Sequence, residues 1–190
     1  KQKYPGPTVN ESLEKISQYN RRRENSILCG GICIPSRRKE SKNLIRKSEC
    51  GAEFFTTQVL CDSGNVIKMI KNYQERCDKV NTFPRRILLS FAPVSSQKNI
   101  DFLKWLGVEI PKDTEKYLNG RPGSMTERSL DVAIEVLNEI LAFIANNNLK
   151  VPVGLNVEHI MSYNFQSSVE MLQELANLYR KFCINTNQYN

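Results

Sequence analysis

The segment ESKNLIRK, residues 40–47, places Glu40, Asn43 and Lys47 three and four positions apart with Arg46 beside them. In a helix that spacing puts them on one face, which would offer one anionic acceptor, one amide and two cations. Spacing alone leaves two readings open. The face is solvated, as charged side chains ordinarily are, or the helix lies across strand ends and cradles a phosphorylated, hydroxyl-bearing cofactor. Gln58 is a second candidate, because it interrupts an otherwise apolar run in FFTTQVLCD, residues 54–62. A buried amide costs stability unless its donors and acceptor are met, so Gln58 either caps a strand or faces a ligand. His159, the one histidine, reads as a hydrogen-bonded structural group, with proton transfer a secondary role. Asp62 and Ser63 read as caps for the helix that follows them. The six cysteines form no C-x-x-C pair, so a zinc site would need distant ligands and no metal is expected.

The elements that must position these residues alternate regularly. TVNESLEKISQYNRRR (8–23) carries Val9, Leu13, Ile16 and Tyr19 at helical spacing. Four continuous apolar runs, 26–35, 52–60, 85–94 and 151–160, read as strands. Helical patterns follow them at 39–51, 64–80, 96–111 with 112–118 and 125–148, and 167–184. In the 96–111 helix, Ile100, Phe102, Leu103 and Leu106 form the expected apolar side, with Trp105 at its edge. Continuous apolar strands between helices indicate a parallel sheet covered by helices, so the class is α/β. No G-x-G-x-x-G or G-x-x-x-x-G-K-[ST] follows any strand. Four β/α units make half of an eight-stranded barrel, in which ligands meet the carboxyl ends of the strands. Arg37, residues 93–96, Gln58 and Glu158 fall there.

At 190 residues and 40% hydrophobic, the chain has the size of one domain. We expect a single domain over 1–190, with a leading helix and linker over 1–26 and a polar tail over 185–190. The formal charge of +7 favours anionic partners. The basic residues are not interleaved with stacking aromatics, however, so nucleic acid ranks last among them. Cysteines scattered through apolar runs suit a reducing, intracellular compartment, cytoplasmic first, with mitochondrial also open. No apolar run is long enough to span a membrane.

GGICIPSRR (30–38), RKSECGAEFFTTQVLCD (46–62), ILLSFAPVSSQKNIDFLKWLGVEIP (87–111) and VPVGLNVEHI (151–160) occur in that order. Together they resemble the second half of the methylenetetrahydrofolate reductase family, and most of all its shorter homologues with "GGI-x-IP" and "NVE" patterns. The resemblance covers about residues 5–175. It implies strands five to eight of a (β/α)8 TIM-type barrel. It also implies a flavin enzyme of one-carbon metabolism and methionine biosynthesis, which passes a hydride from NAD(P)H to FAD and on to 5,10-methylenetetrahydrofolate, giving 5-methyltetrahydrofolate. Carried over, it implies FAD contacts at Arg38, Glu40, Asn43, Arg46 and Lys47, and pterin contact at Gln58. Gln97 and Glu158 take two further substrate-facing places.

Three positions depart from the family pattern: Arg38 replaces a histidine, Gln97 an aromatic residue, and the strand-eight tyrosine gives way near Glu158. The family's acidic catalytic residues belong to the first half of the barrel, so no catalytic residue is assigned to this chain. A half barrel leaves two sheet edges and an apolar interior open. We therefore expect completion by an N-terminal segment, a second chain or another copy. The alternative is a catalytically inactive remnant serving as a structural or accessory subunit of a larger complex.

Overall fold

The computed structural model describes residues 6–22, 26–120 and 122–186. The leading helix α1 (Val9–Asn20) opens on a reciprocal cap: the Thr8 side chain accepts from the Glu11 amide, and the Glu11 carboxylate accepts from the Thr8 amide. Four parallel strands follow, β1 (Gly30–Cys33), β2 (Phe54–Thr57), β3 (Arg86–Phe91) and β4 (Val153–Val157). The connecting helices are α2 (Glu40–Glu49) and α3 (Gly64–Lys79). Between β3 and β4 come α4 (Gln97–Trp105), α5 (Lys112–Leu118) and α6 (Met125–Asn146), and α7 (Phe165–Thr186) follows β4. Part of the expected linker and the end of the expected tail, residues 23–25 and 187–190, lie outside the described residues.

The strand order is β1-β2-β3-β4, every pair parallel. Sequential order with right-handed crossovers puts the helices on a single face. Side chains alternate accordingly. Cys33, Phe55, Ile87, Leu89, Phe91 and Val153 point into the helix layer and are at most 1% exposed. Ile32 on the other face is 57% exposed, and Phe54, Thr56, Leu88 and Asn156 beside it are half-buried. On this open face Gly154 admits its neighbour, since an added Cβ would stand 2.8 Å from Leu88 Cδ2. The architecture is an α/β fold with a four-stranded parallel sheet, consistent with a fragment of a TIM-type barrel.

All four strands stand where the apolar runs place them, but each is shorter than its run. In 52–60 and 85–94 the surplus residues Val59, Leu60, Ala92 and Val94 are buried beyond the strand ends, and Leu60 alone of them reaches the neighbouring strand, its amide donating to the Ser90 carbonyl at 2.9 Å. Val59, Cys61, Ala92 and Val94 pack with Ile100, Leu103, Val108 and Leu118 in a second small core under α4 and α5. In 26–35, Ile27 and Leu28 are 51% and 68% exposed ahead of β1, an edge strand. Of the apolar positions expected in α1, only Leu13 is buried, and Val9 is 58% exposed. In α4, Ile100 and Leu103 face the core as expected, whereas Leu106 is 48% exposed and Phe102 only half-buried.

Gly51 ends α2 at φ +113°, a conformation that disfavours any side chain. Ser124 with Glu127 forms a second reciprocal cap at the start of α6. Asp62 caps α3 by accepting from the Gly64 amide at 2.8 Å, but the Ser63 hydroxyl instead donates to Glu139. All six cysteines are free thiols. No helix among the described residues is long and apolar enough to cross a membrane, and no group of three or more His, Cys, Asp and Glu side chains among them could hold a metal ion.

Candidate functional site

Glu40, the first residue of α2, is 1% exposed. Its carboxylate accepts from the Ile34 amide at 3.2 Å, from Asn43 Nδ2 at 3.1 Å and from Lys47 Nζ at 3.3 Å. Lys47 Nζ also donates to the Ile32 carbonyl. The helical spacing thus brings Glu40, Asn43 and Lys47 together, and what they join is the exit of β1. A solvated face does not describe this cluster, because the Lys47 side chain is only 12% exposed. Around it the loop and α2 leave Arg37, Arg38, Lys39, Lys42 and Arg46 exposed. Among the described residues the ion pairs are Lys47–Glu40 and Lys104–Glu115. The charge of Arg38 and Arg46 is therefore not paired with a carboxylate, which suits a phosphate-bearing ligand.

Gln58 follows β2 directly. Its main-chain amide donates to the Cys33 carbonyl at 2.8 Å, and its side-chain Nε2 donates to the Leu106 carbonyl at 3.2 Å, at the end of α4. Alternation from Thr56 places Gln58 on the open face, in line with Ser90 and Asn156, which pair in register across β3 and β4. Asn156 Nδ2 donates to Ser90 Oγ at 3.0 Å and stands 3.5 Å from Glu158 Oε1. The Glu158 main-chain amide donates to the Phe91 carbonyl, which fixes this carboxylate just past β4. A polar row of Gln58, Ser90, Asn156 and Glu158 therefore crosses the carboxyl ends of the strands. Ser90 and Asn156 were not singled out from the sequence, although each is the lone polar residue near the end of an apolar strand.

Burial pushes the Glu158 carboxyl above its ordinary range, with a hydrogen bond to Ser90 working the other way. The folded protein then binds the proton more tightly than the unfolded chain. This group's contribution to stability should fall as pH rises from the ordinary glutamate pKa through the raised one. Glu158→Gln should remove that downward step from a plot of denaturation midpoint against pH. An unchanged profile would mean that the carboxylate is well solvated in the folded protein.

Two expected site residues stand apart from the row. Gln97 opens α4 with its Nε2 donating to Asp101 at 2.9 Å and its Oε1 accepting from Asn119 Nδ2 at 2.9 Å, toward α5. His159 is exposed and stacks edge-on with Phe165, ring centroids 5.3 Å apart. A cleft of about 30 Å³ lies between the two groups of polar residues, lined by Ile34, Pro35, Gln58, Asp62, Gly107 and Glu109 among others. It has room for a water molecule, not for a ring system, whose pockets are about tenfold larger or more.

Parallel strands in sequential order, helices on one face and polar side chains gathered at the strands' carboxyl ends make an α/β protein whose sheet is consistent with a fragment of a TIM-type barrel. A family model for methylenetetrahydrofolate reductase matches residues 33–177, more than half of the chain. The chain belongs to the methylenetetrahydrofolate reductase family. Among solved structures, an uncharacterized protein from Clostridium thermocellum that binds two copies of 5-methyl-5,6,7,8-tetrahydrofolic acid superposes with a TM-score of 0.74 at 18% identity. That superposition covers 90% of this chain and 60% of that one, and it establishes a shared fold. Among curated proteins, a transaldolase from Prochlorococcus marinus (strain MIT 9301) is 30% identical over 131 residues, 67% of this chain and 35% of that protein. The chain thus spans about a third of that relative's length.

Proposed function

We propose that this chain forms the carboxyl-terminal half of a flavin-dependent TIM-type barrel that reduces 5,10-methylenetetrahydrofolate to 5-methyltetrahydrofolate. The observation that carries the reading is the polar row Gln58–Ser90–Asn156–Glu158 on a sheet face without helices, with the Glu40–Lys47 cluster and its unpaired arginines at one end. Among the described residues the outer edges of β1 and β4 have no strand partner, as in a barrel cut in two. What closes it is an N-terminal segment, a second chain or another copy, and the domain is then the whole barrel.

In this reading Arg38 and Arg46 would hold the diphosphate of FAD, and Asn43 and Lys47 its polar chain. Glu40, buried beneath them, holds Asn43 and Lys47 in place. Bound there, FAD would supply a hydride donor that NAD(P)H reloads. Gln58 and Glu158 orient the folate ring through the two ends of the row, since an amide and a carboxylate complement the mixed donors and acceptors of a pterin. Gln97 would reach substrate only by giving up its bond to Asp101 or Asn119. The folate bound by the Clostridium thermocellum protein of the same fold supports this ligand class.

The reading is tested on the native protein by its mass and visible absorbance. A mass well above the 21.8 kDa of one chain, with flavin bands, is the expected result. A colourless protein that copurifies with a large complex would favour the accessory-subunit alternative. Lys47→Ala should weaken flavin retention about 10- to 100-fold, the worth of a hydrogen bond to a charged group. Gln58→Ala should weaken folate turnover about tenfold with flavin content unchanged. Flavin affinity that ignores Lys47, or folate kinetics that ignore Gln58, would remove those assignments.

A further inference from the structure

The helices α6 and α7 pack on each other and cover the sheet with their inner faces, where Leu137, Ile140 and Ile144 of one and Met171 and Leu175 of the other are buried. On their outer side they leave a groove of about 490 Å³, lined on its apolar side by Ile134, Leu141, Ala142, Leu178 and Phe182. Packed helices commonly leave a furrow between their ridges, so the groove by itself carries nothing. What distinguishes this one is the order of its charges. Glu174 and Lys181 also line it, both are exposed, and at seven residues apart they lie on one side of α7.

The four charged residues of α7 are two acids in its first half, Glu170 and Glu174, and two cations in its second, Arg180 and Lys181. Among the described residues none of the four takes part in an ion pair. The helix dipole favours the same order, but its effect is confined to the first and last turns. Neither terminal turn of α7 holds a charged residue of the favoured sign, so the dipole does not account for the pattern. A second copy does. Glu174 and Lys181 are equally spaced about the junction of Asn177 and Leu178. An antiparallel copy centred there sets each Glu174 beside the other copy's Lys181, and both contacts form at once, as a two-fold interface requires. A parallel copy would set like charges together. The face is also large enough. Helices of 22 residues are about 33 Å long and pack about 10 Å apart, giving a face of roughly 33 by 20 Å. That is close to the 800 Å² or so that a stable interface takes from each partner.

We propose that the α6–α7 groove is a self-association surface, in which α7 of a second copy lies antiparallel about a two-fold axis beside Asn177 and Leu178. Each α7 then fills the other's groove, removing Ala142 and Leu178 from water. The groove is on the outer side of the helix layer, away from the open sheet face. Pairing through it is therefore independent of what closes the barrel and of the flavin reading.

Sedimentation equilibrium over a dilution series is measured for the wild type, Glu174→Lys, Lys181→Glu and the protein carrying both changes. Either single change sets like charges together at two symmetric places, so the dissociation constant should rise about 30- to 100-fold. The double exchange restores opposite charges and should bring it back near the wild-type value. Ala142→Arg, which puts a bulky cation on an exposed residue of the groove, should also weaken pairing. All three positions are exposed, so the fold tolerates these changes. A wild type with no paired form at any concentration overturns the proposal, as does pairing that ignores both single changes. Failure of the double exchange to recover overturns the two-fold arrangement. Flavin absorbance reads the other proposal separately. A colourless protein that pairs through the groove counts against the flavin reading alone, and a yellow one that does not pair counts against this surface alone.

Discussion

Glu40→Ala is expected to cost about 3 kcal/mol or more of stability, seen as a lower urea midpoint with an unchanged slope. The carboxylate is almost wholly buried and meets three donors at once. Its removal leaves the Ile34 amide, the Asn43 amide group and the Lys47 ammonium short of an acceptor. Lys47 keeps the Ile32 carbonyl and slight access to water, which places the loss toward the lower end of the range for breaking a buried pair. Glu40→Gln retains one acceptor oxygen and should cost roughly half as much by the same reasoning. It also separates two roles. If Glu40 holds Lys47 for a cofactor, the glutamine variant remains folded but retains flavin poorly. A loss below about 1 kcal/mol for the alanine variant, within the range of ordinary surface changes, would show that the exit of β1 is held by something else.

The same cluster shows how far residue spacing reaches. Glu40, Asn43 and Lys47 were placed on one helix face by their three- and four-residue intervals, and they do meet. That the face turns toward β1 rather than water depends on a contact between α2 and the Ile32–Ile34 segment, which no local pattern encodes. The strands were legible because parallel strands buried on one side still read as apolar runs. Their ends were not, because loop residues such as Val59 and Val94 are as buried as the strands and obey no ladder. Helical spacing puts Phe102 and Leu106 on the core side of α4, which the structure does not, for a related reason. Hydropathy counts an aromatic ring toward the core wherever it falls, and here a ring at the sheet's carboxyl edge faces outward. Gln58 appears as a strand end with an unexplained amide, and the structure gives its Nε2 a partner in the Leu106 carbonyl. The row that gives it a chemical setting runs through Ser90 and Asn156, which lie 32 and 98 residues further along the chain. Only sheet register brings them together.

Asn164→Leu is expected to cost about 2–4 kcal/mol, although leucine fills nearly the same volume. Asn164 is 3% exposed, and its Nδ2 donates to the Pro93 carbonyl at 3.3 Å and lies 3.4 Å from Asn99 Oδ1. Its Oδ1 accepts from Ser95 Oγ at 3.0 Å. Asn99, also 3% exposed, accepts from the Ser95 amide and donates to the Tyr163 hydroxyl. These bonds tie the loop that launches α4 to the turn after β4 through a pair of buried amides. A leucine strands the Pro93 carbonyl where little water can reach it. The two asparagines work as one unit, and Asn99→Leu with Asn164→Leu should be non-additive by roughly 1 kcal/mol or more. Once either is gone, the remaining amide has already lost its partner. Strict additivity in a denaturation double-mutant cycle would mean that each amide serves its own loop. In that case α4 would be held at the carboxyl edge of the sheet by its apolar contacts and its bonds to Gln58, Glu115 and Asn119.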